Sequence, residues 1–484
     1  MFETSLLCAG KWQPAATGQT FDRIGPLSSS VSSRCAAASI DDVQAVLAAA
    51  SDAQQEWGAT GPGVRRQLLL KAADILEGYA DEFVDRMYAE LGATEAWARF
   101  NAKLGAGMFR EAGAMTTRIA GEIIPSDMPG SLAMAVRQPA GVSLGIAPWN
   151  APVILAARAI SMPLACGNAS ILKGSENCPA THELVCRALV EAGLPDGVIS
   201  FLTNSPEDAG EIVGTIIDHP SVARINFTGS TEVGRKIALR AAHALKPALL
   251  ELGGKAPFIV LEDADLDAAV AAAAFGTFMN QGQICMSTER IIVDEKIADT
   301  FTQKLAKKVS SLRAGDPRKE KGIQLGPLAN KDASQRIAKM IEDACAKGAH
   351  LITGGASNSA IMQPTLIDGV DPTMRIYKEE TFGPIAGIIR VKSDEEAISV
   401  ANDTEYGLTG AVFSRDVNRA MAVAEKVESG MCHINGPTVH DEAQMPFGGV
   451  KESGYGRFGG RAAIDMFTNL RWITLQQKPR QYPI

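Results

Sequence analysis

Cysteine is scarce and unpatterned in this chain: eight residues in 484, none at a CxxC spacing. That excludes a disulfide scaffold, which needs a cysteine density of roughly 8–10% or more. The six histidines show no metal-ligand spacing with those cysteines, so no metal centre is expected. No basic run occurs and the formal net charge is -8, which argues against a nucleic-acid partner. The longest apolar run, near residues 268–278, is rich in alanine and falls short of the ~20 residues that span a bilayer. The Met1-Phe2-Glu3-Thr4 start has no basic region leading into an apolar stretch, so no secretory signal is read there. These absences predict a soluble, reduced, cytoplasmic protein that binds neither nucleic acid nor membrane.

What remains is an ordinary globular composition, 46% hydrophobic and 21% charged, with length enough for two or three domains. Apolar residues recur at helical spacing over 41–56 and 65–88, as in a covering layer. From Gly141 the pattern becomes strand, turn, helix: strands at 141–147, 169–173, 198–202 and 224–228, with helices after each. Such alternation predicts a parallel sheet with helices on both faces, whose ligands sit beyond the carboxyl ends of the strands. Residues 287–430 repeat it as a second α/β domain. Two isolated strand-like pieces, 132–137 and 470–475, predict either an assembly arm or an ordinary surface hairpin.

The strand ends carry the chemistry. Gly229-Ser230-Thr231-Glu232-Val233-Gly234 opens a helix, where free N–H groups favour a phosphate; a plain tight turn fits as well. Lys173 and Glu176 offer an ammonium and a carboxylate for ribose hydroxyls, or a solvated turn. Asn150 fits a helix N-cap or an oxyanion donor. Glu251, between leucines and ahead of Gly253-Gly254, is a general base if its pKa is raised, or the salt-bridge partner of Lys255. Cys285 follows Asn280-Gln281-Gly282-Gln283-Ile284, where Gly282 allows a close backbone approach. Glu380 precedes Thr381-Phe382-Gly383-Pro384, and Pro446-Phe447-Gly448-Gly449 begins a glycine-rich loop.

Taken in order, Pro148-Trp149-Asn150, Lys173 with Glu176, Phe227-Thr228-Gly229-Ser230, Glu251-Leu252-Gly253-Gly254-Lys255, Gln281-Gly282-Gln283 before Cys285, Glu380 with Phe382-Gly383-Pro384, and Pro446-Phe447-Gly448-Gly449 resemble the aldehyde dehydrogenase superfamily over essentially the whole chain. Within it, residues 283–290 and 433–444 are similar to the bacterial enzymes that oxidise vanillin, benzaldehyde and salicylaldehyde. The resemblance implies an α/β fold with a Rossmann-type cofactor domain (1–119 and 140–251), a second α/β catalytic domain (252–450) and a small β oligomerisation arm (120–139 and 468–484). A homodimer or a dimer-of-dimers tetramer follows from the arm.

The resemblance also implies roles. Cys285 is the nucleophile, Asn150 with the Cys285 N–H the oxyanion hole, and Glu251 the general base. Trp149, Lys173, Glu176, Gly229, Ser230, Glu380 and Phe382 hold NAD, with NADP a weaker alternative. The implied reaction takes an aromatic aldehyde through a thiohemiacetal and a thioester to the acid; salicylaldehyde or aliphatic and semialdehyde substrates are the alternatives. For the ring pocket, helical spacing after Asn150 suggests Ala151, Leu155 and Ala157, with Met279, Ile284 and Met286 as apolar walls. His440 and Gln444 are candidates to read a ring substituent, or are solvated loop residues. Two departures stand out: Arg158 where many relatives have lysine, and Phe458 where many have glutamate. A guanidinium does not release its proton at neutral pH, so a proton path through those positions differs here.

Overall fold

The cofactor-side half of the chain is organised by five parallel strands, Val142–Ile146, Ser170–Lys173, Ile199–Leu202, Val222–Thr228 and Ala248–Glu251, in a computed structural model that describes residues 1–28, 30–357 and 359–484. These runs are almost wholly buried, as parallel strands covered by helices on both faces must be, and for that reason they read as continuous apolar segments. Leu6–Cys8 and Lys11–Gln13 extend one edge antiparallel, and Gly454–Tyr455 closes the other against Ala248–Glu251, giving eight strands. Strand order reverses at Val142–Ile146: later strands are added first on one side, then on the other. A crevice therefore opens between Val142–Ile146 and Val222–Thr228 at their carboxyl ends.

A second sheet of seven strands, in the order His350–Thr353, Thr365–Asp368, Ile385–Val391, Thr288–Asp294, Ala256–Val260, Thr409–Phe413 and Met431–Ile434, is parallel except at the His350–Thr353 edge. The chain passes from the first sheet to the second between Glu251 and Ala256. After the second sheet it returns: Gly454–Tyr455 rejoins the first sheet, and the helix Gly460–Phe467 packs on the helix Pro152–Ala165.

Several expectations are adjusted by these elements. The helical stretch foreseen at 65–88 is two helices, Pro62–Gly78 and Ala80–Leu91, parted at Tyr79, whose φ/ψ of -80°/11° leaves the helical range. The five short strands before residue 40 and the helix Glu95–Met115 carry no marked pattern in the sequence. The two isolated strands find one another: Ser131–Pro139 and Thr468–Gln476 pair antiparallel over nine residues, from Thr468 opposite Pro139 to Gln476 opposite Ser131. Glu122–Ile124 adds a third strand. This small sheet leaves Ile123, Leu470 and Trp472 exposed, Trp472 to 76%. Among the described residues, no helix is long and apolar enough to cross a membrane.

Candidate active site

Glu251 ends its strand completely buried, and neither carboxyl oxygen has a hydrogen-bond partner of good geometry. The expected alternative, a pair with Lys255, does not form. Lys255 points instead to Glu289, Nζ to Oε2 at 2.6 Å, and donates to the Glu379 carbonyl at 2.6 Å. The reason is the crossover: Lys255 lies at the entrance to the second sheet, where Glu289 stands on the adjacent strand. Burial pushes the Glu251 pKa up to about 7, against the pull of the Cys285 thiol, the Arg158 guanidinium and Thr228. A carboxyl of that pKa accepts or releases a proton at neutral pH. Burial also drives the half-buried Cys285 thiol well above its ordinary value, and the neighbouring Glu251 carboxylate adds to the rise.

Asn150 does not cap the following helix; the N-cap is Ala151, without a side-chain cap bond. The Asn150 amide turns the other way and donates from Nδ2 to the Gln283 carbonyl at 3.1 Å. Its own carbonyl accepts from Trp97 Nε1 at 3.2 Å and from Asn280 Nδ2 at 2.9 Å. Asn150 is thus fixed from three sides beside the Cys285 loop, with one amide hydrogen to spare. Among the described residues no acceptor is found for the Cys285 N–H, and the Asn150 amide lines the same cavity as Cys285; free donors beside a nucleophile are what an oxyanion needs.

The Cys285 loop is shaped by left-handed turns at Asn280 and Gln281 (φ 49° and 58°) followed by Gly282 (φ 67°). The close approach read from Gly282 is real: a Cβ there would stand 2.1 Å from the Gly383 carbonyl oxygen. Gln281 and Gln283 serve the loop itself, accepting from the Gly326 and Ala329 N–H groups at 3.0 and 2.9 Å.

Opposite the thiol is the segment Glu380–Phe382. Phe382 adopts φ 45°, a costly conformation for a bulky residue, held by buried Glu289, which accepts from the N–H groups of Thr381 and Phe382 at 3.0 and 3.1 Å. From outside, Arg336 donates to the carbonyls of Glu380 and Thr381 at 3.1 and 2.7 Å. Glu380 accepts from the Gly254 N–H at 2.8 Å, and burial, with Glu289 nearby, raises its pKa to about 8. The Phe382 ring meets Trp149 edge-on, centroids 5.8 Å apart.

Cys285, Glu251, Asn150, Trp149, Gly229, Ser230, Glu380 and Phe382 line one cavity of about 230 Å³. It shares Pro148, Trp149, Thr228, Gly229 and Ser230 with a larger cleft of about 630 Å³ that runs along the strand ends to Lys173 and Glu176. Lys173 and Glu176 form an ion pair, and Asn204 donates to Glu176 at 3.2 Å. Ser230 caps its helix by accepting from the Val233 N–H at 3.4 Å.

On the apolar side, Ala151, Leu155, Ile284 and Met286 are buried, and with Met279 they belong to one cluster with Cys285. Ala157 is fully enclosed in the same cluster, about 200° round the helix from Leu155. His440 and Gln444 are corrected. Both are exposed and both bond to Glu442, at 2.9 and 2.7 Å. Arg158 is buried, ion-paired with Asp441, its guanidinium 4.1 Å from the Phe447 ring and 5.7 Å from that of Phe458. Sequence reasoning missed Trp97, Glu289, Arg336 and Asp441. Glu289 and Asp441 fall inside the stretches 283–290 and 433–444 that carry the resemblance, but nothing there marked their roles.

The family model described as "Aldehyde dehydrogenase family" matches residues 12–473. Among curated proteins, a vanillin dehydrogenase of Pseudomonas fluorescens is 57% identical over 484 residues, covering all of both chains. A salicylaldehyde dehydrogenase of Pseudomonas putida is 50% identical over 481 residues, covering 99% of this chain and 100% of that one. The crystal structure of a salicylaldehyde dehydrogenase from Pseudomonas putida G7 complexed with salicylaldehyde superposes with a TM-score of 0.98 at 48% identity, covering both chains completely.

Proposed function

The chain belongs to the aldehyde dehydrogenase family, and from that premise we propose that it oxidises benzaldehyde-type aromatic aldehydes, vanillin among them, to carboxylic acids with NAD. The observation that carries this reading is the convergence of the Cys285 thiol, the unpaired Glu251 carboxyl and the Asn150 amide on one cavity. The vanillin and salicylaldehyde relatives support the aromatic substrate.

In this reading the Cys285 thiol loses its proton to solvent water and its sulfur attacks the aldehyde carbonyl, and the negative charge that develops on oxygen is met by the Asn150 amide and the Cys285 N–H. Glu251 takes up the proton of the water that releases the acid from the thioester.

The family uses NAD or NADP. The joined cavities suit a dinucleotide: together, at about 630 and 230 Å³, they fall within the roughly 300–1,000 Å³ of ligand pockets, and a helix start at Gly229-Ser230 offers N–H groups to a diphosphate. When bound, the dinucleotide supplies the hydride acceptor. Lys173 and Glu176 hold the adenosine ribose, Gly229 and Ser230 the diphosphate, Glu380 the nicotinamide ribose; Trp149 and Phe382 flank the cleft. A carboxylate at Glu176 accepts from two free ribose hydroxyls and repels a 2′-phosphate, so NAD is preferred. Glu176→Ser should narrow the NAD-over-NADP ratio of kcat/KM by about tenfold; a wild type that uses both equally refutes the assignment.

Residues 1–119 and 140–251 form the dinucleotide domain and 252–450 the catalytic domain in this scheme. The sheet of 120–139 and 468–484 acts as the arm of a cytoplasmic homodimer or dimer-of-dimers tetramer, its exposed Ile123, Leu470 and Trp472 giving it an apolar surface to bury. The deciding experiment is a kcat/KM panel over benzaldehyde, vanillin, salicylaldehyde, hexanal and succinic semialdehyde. The aromatic compounds should lead by at least about tenfold; a lead for hexanal or the semialdehyde overturns the substrate reading.

A further inference from the structure

Asp441 has no part in the chemistry above, yet its side chain is only 10% exposed. One carboxylate oxygen, Oδ2, meets the Arg158 guanidinium. The other, Oδ1, is buried and has no hydrogen-bond partner among the described residues. A buried acceptor left unpaired costs roughly 1–3 kcal/mol, more when it carries charge. An arrangement that fixes a carboxylate with a buried arginine and leaves one oxygen bare is ready to receive a donor.

The surroundings say where that donor comes from. Thr438, three residues before Asp441, shares a hydrogen bond with Thr288 at 2.8 Å, three residues after Cys285. Val439 and Ala443, two residues to either side of Asp441, pack in the same apolar cluster as Cys285, Met279, Ile284 and Met286. Arg158 comes from the helix that follows Asn150, and its charge is felt at both Glu251 and Cys285, as that of Asp441 is at Glu251. Asp441 thus stands beside the apolar cluster that holds Cys285, on a segment tied to the strand that follows the nucleophile and, through Arg158, to the helix of the oxyanion amide. His440 and Gln444, by contrast, are turned to solvent and bound to Glu442.

We propose that Asp441 reads a hydroxyl on the substrate ring, its unpartnered Oδ1 accepting the O–H while Arg158 fixes the carboxylate in place. The proposal rests on the aromatic reading of the preceding subsection. A ring hydroxyl satisfies the bare acceptor. A methoxy group of similar size brings no proton and leaves the carboxylate desolvated, and sites with an unmet buried polar group reject such analogues strongly.

The test compares ortho-, meta- and para-hydroxybenzaldehyde with the matching methoxy compounds. Two variants are used: Asp441→Asn, which keeps the shape, and the double variant Asp441→Leu with Arg158→Met, which removes both charges and leaves none buried alone. For the isomer that the wild type favours most, the hydroxy-to-methoxy ratio of kcat/KM should fall about tenfold or more in both variants. Absolute rates are free to change, since a purely structural effect lowers both members of a pair alike. An unchanged ratio in either variant, or a wild-type ratio near one for every isomer, overturns the role of Asp441. A wild type that oxidises none of the benzaldehydes sinks the aromatic reading instead, so the two failures are told apart.

Discussion

Cys285→Ser should abolish NADH formation, lowering kcat/KM by about four powers of ten or more, while NAD still binds. Nucleophile replacements in enzymes that pass through a covalent intermediate lose catalysis on that scale. The serine hydroxyl matches the thiol in shape, so the half-buried site is not disturbed. It fails because an alcohol, far less acidic than a thiol, is a poor nucleophile at neutral pH, and because an ester releases its acyl group less readily than a thioester. The larger cleft between Trp149, Lys173 and Ser230 does not include Cys285, so dinucleotide binding, followed by quenching of tryptophan fluorescence, should change less than threefold. Retention of more than about one per cent of the dehydrogenase activity would remove Cys285 from its assigned role.

The parts of this site that were legible in the sequence are those fixed by local chemistry. Four of the five central strands bury both faces and are legible as apolar runs closed by glycine, proline or asparagine, with Asn150 and the Gly229-Ser230 turn just beyond their ends, whereas the short strand Ala248–Glu251 that carries Glu251 is not marked as one in the sequence. The opening strands were invisible for the opposite reason: Lys11–Gln13 and Thr20–Ile24 are short, half-exposed edge strands with no continuous apolar run. Pairing across the chain was not legible either. Lys255 sits four residues after Glu251, an inviting local ion pair, but the chain changes sheets between them and delivers Lys255 to Glu289. Asn150 reaches the Gln283 carbonyl across 133 residues, and Trp97, which steadies it, belongs to a helix with no marker of its function.

Glu251→Gln should separate catalysis from stability in opposite directions. Steady-state turnover falls by about two to four powers of ten, the usual worth of a general base, whereas the first burst of NADH in a stopped-flow trace is retained, because the base is needed chiefly to release the acid. Equal slowing of both phases would mean that Glu251 governs activation of the thiol instead. Stability moves the other way. In the unfolded chain this carboxyl loses its proton near the ordinary 4.5, in the native protein near 7. Between those values the native state holds a proton that the unfolded state has lost, so native stability falls as pH rises, and the loss is complete above about 7. The gap corresponds to about 3 kcal/mol for a group this fully buried. Glutamine has no proton to lose. Relative to the wild type, the variant should therefore gain about 3 kcal/mol in urea unfolding as pH is raised from 4 to 8, and nothing below pH 4. A stability difference that does not vary with pH would show that the Glu251 carboxyl is not held near neutrality, and with it would go the physical ground for making it the base.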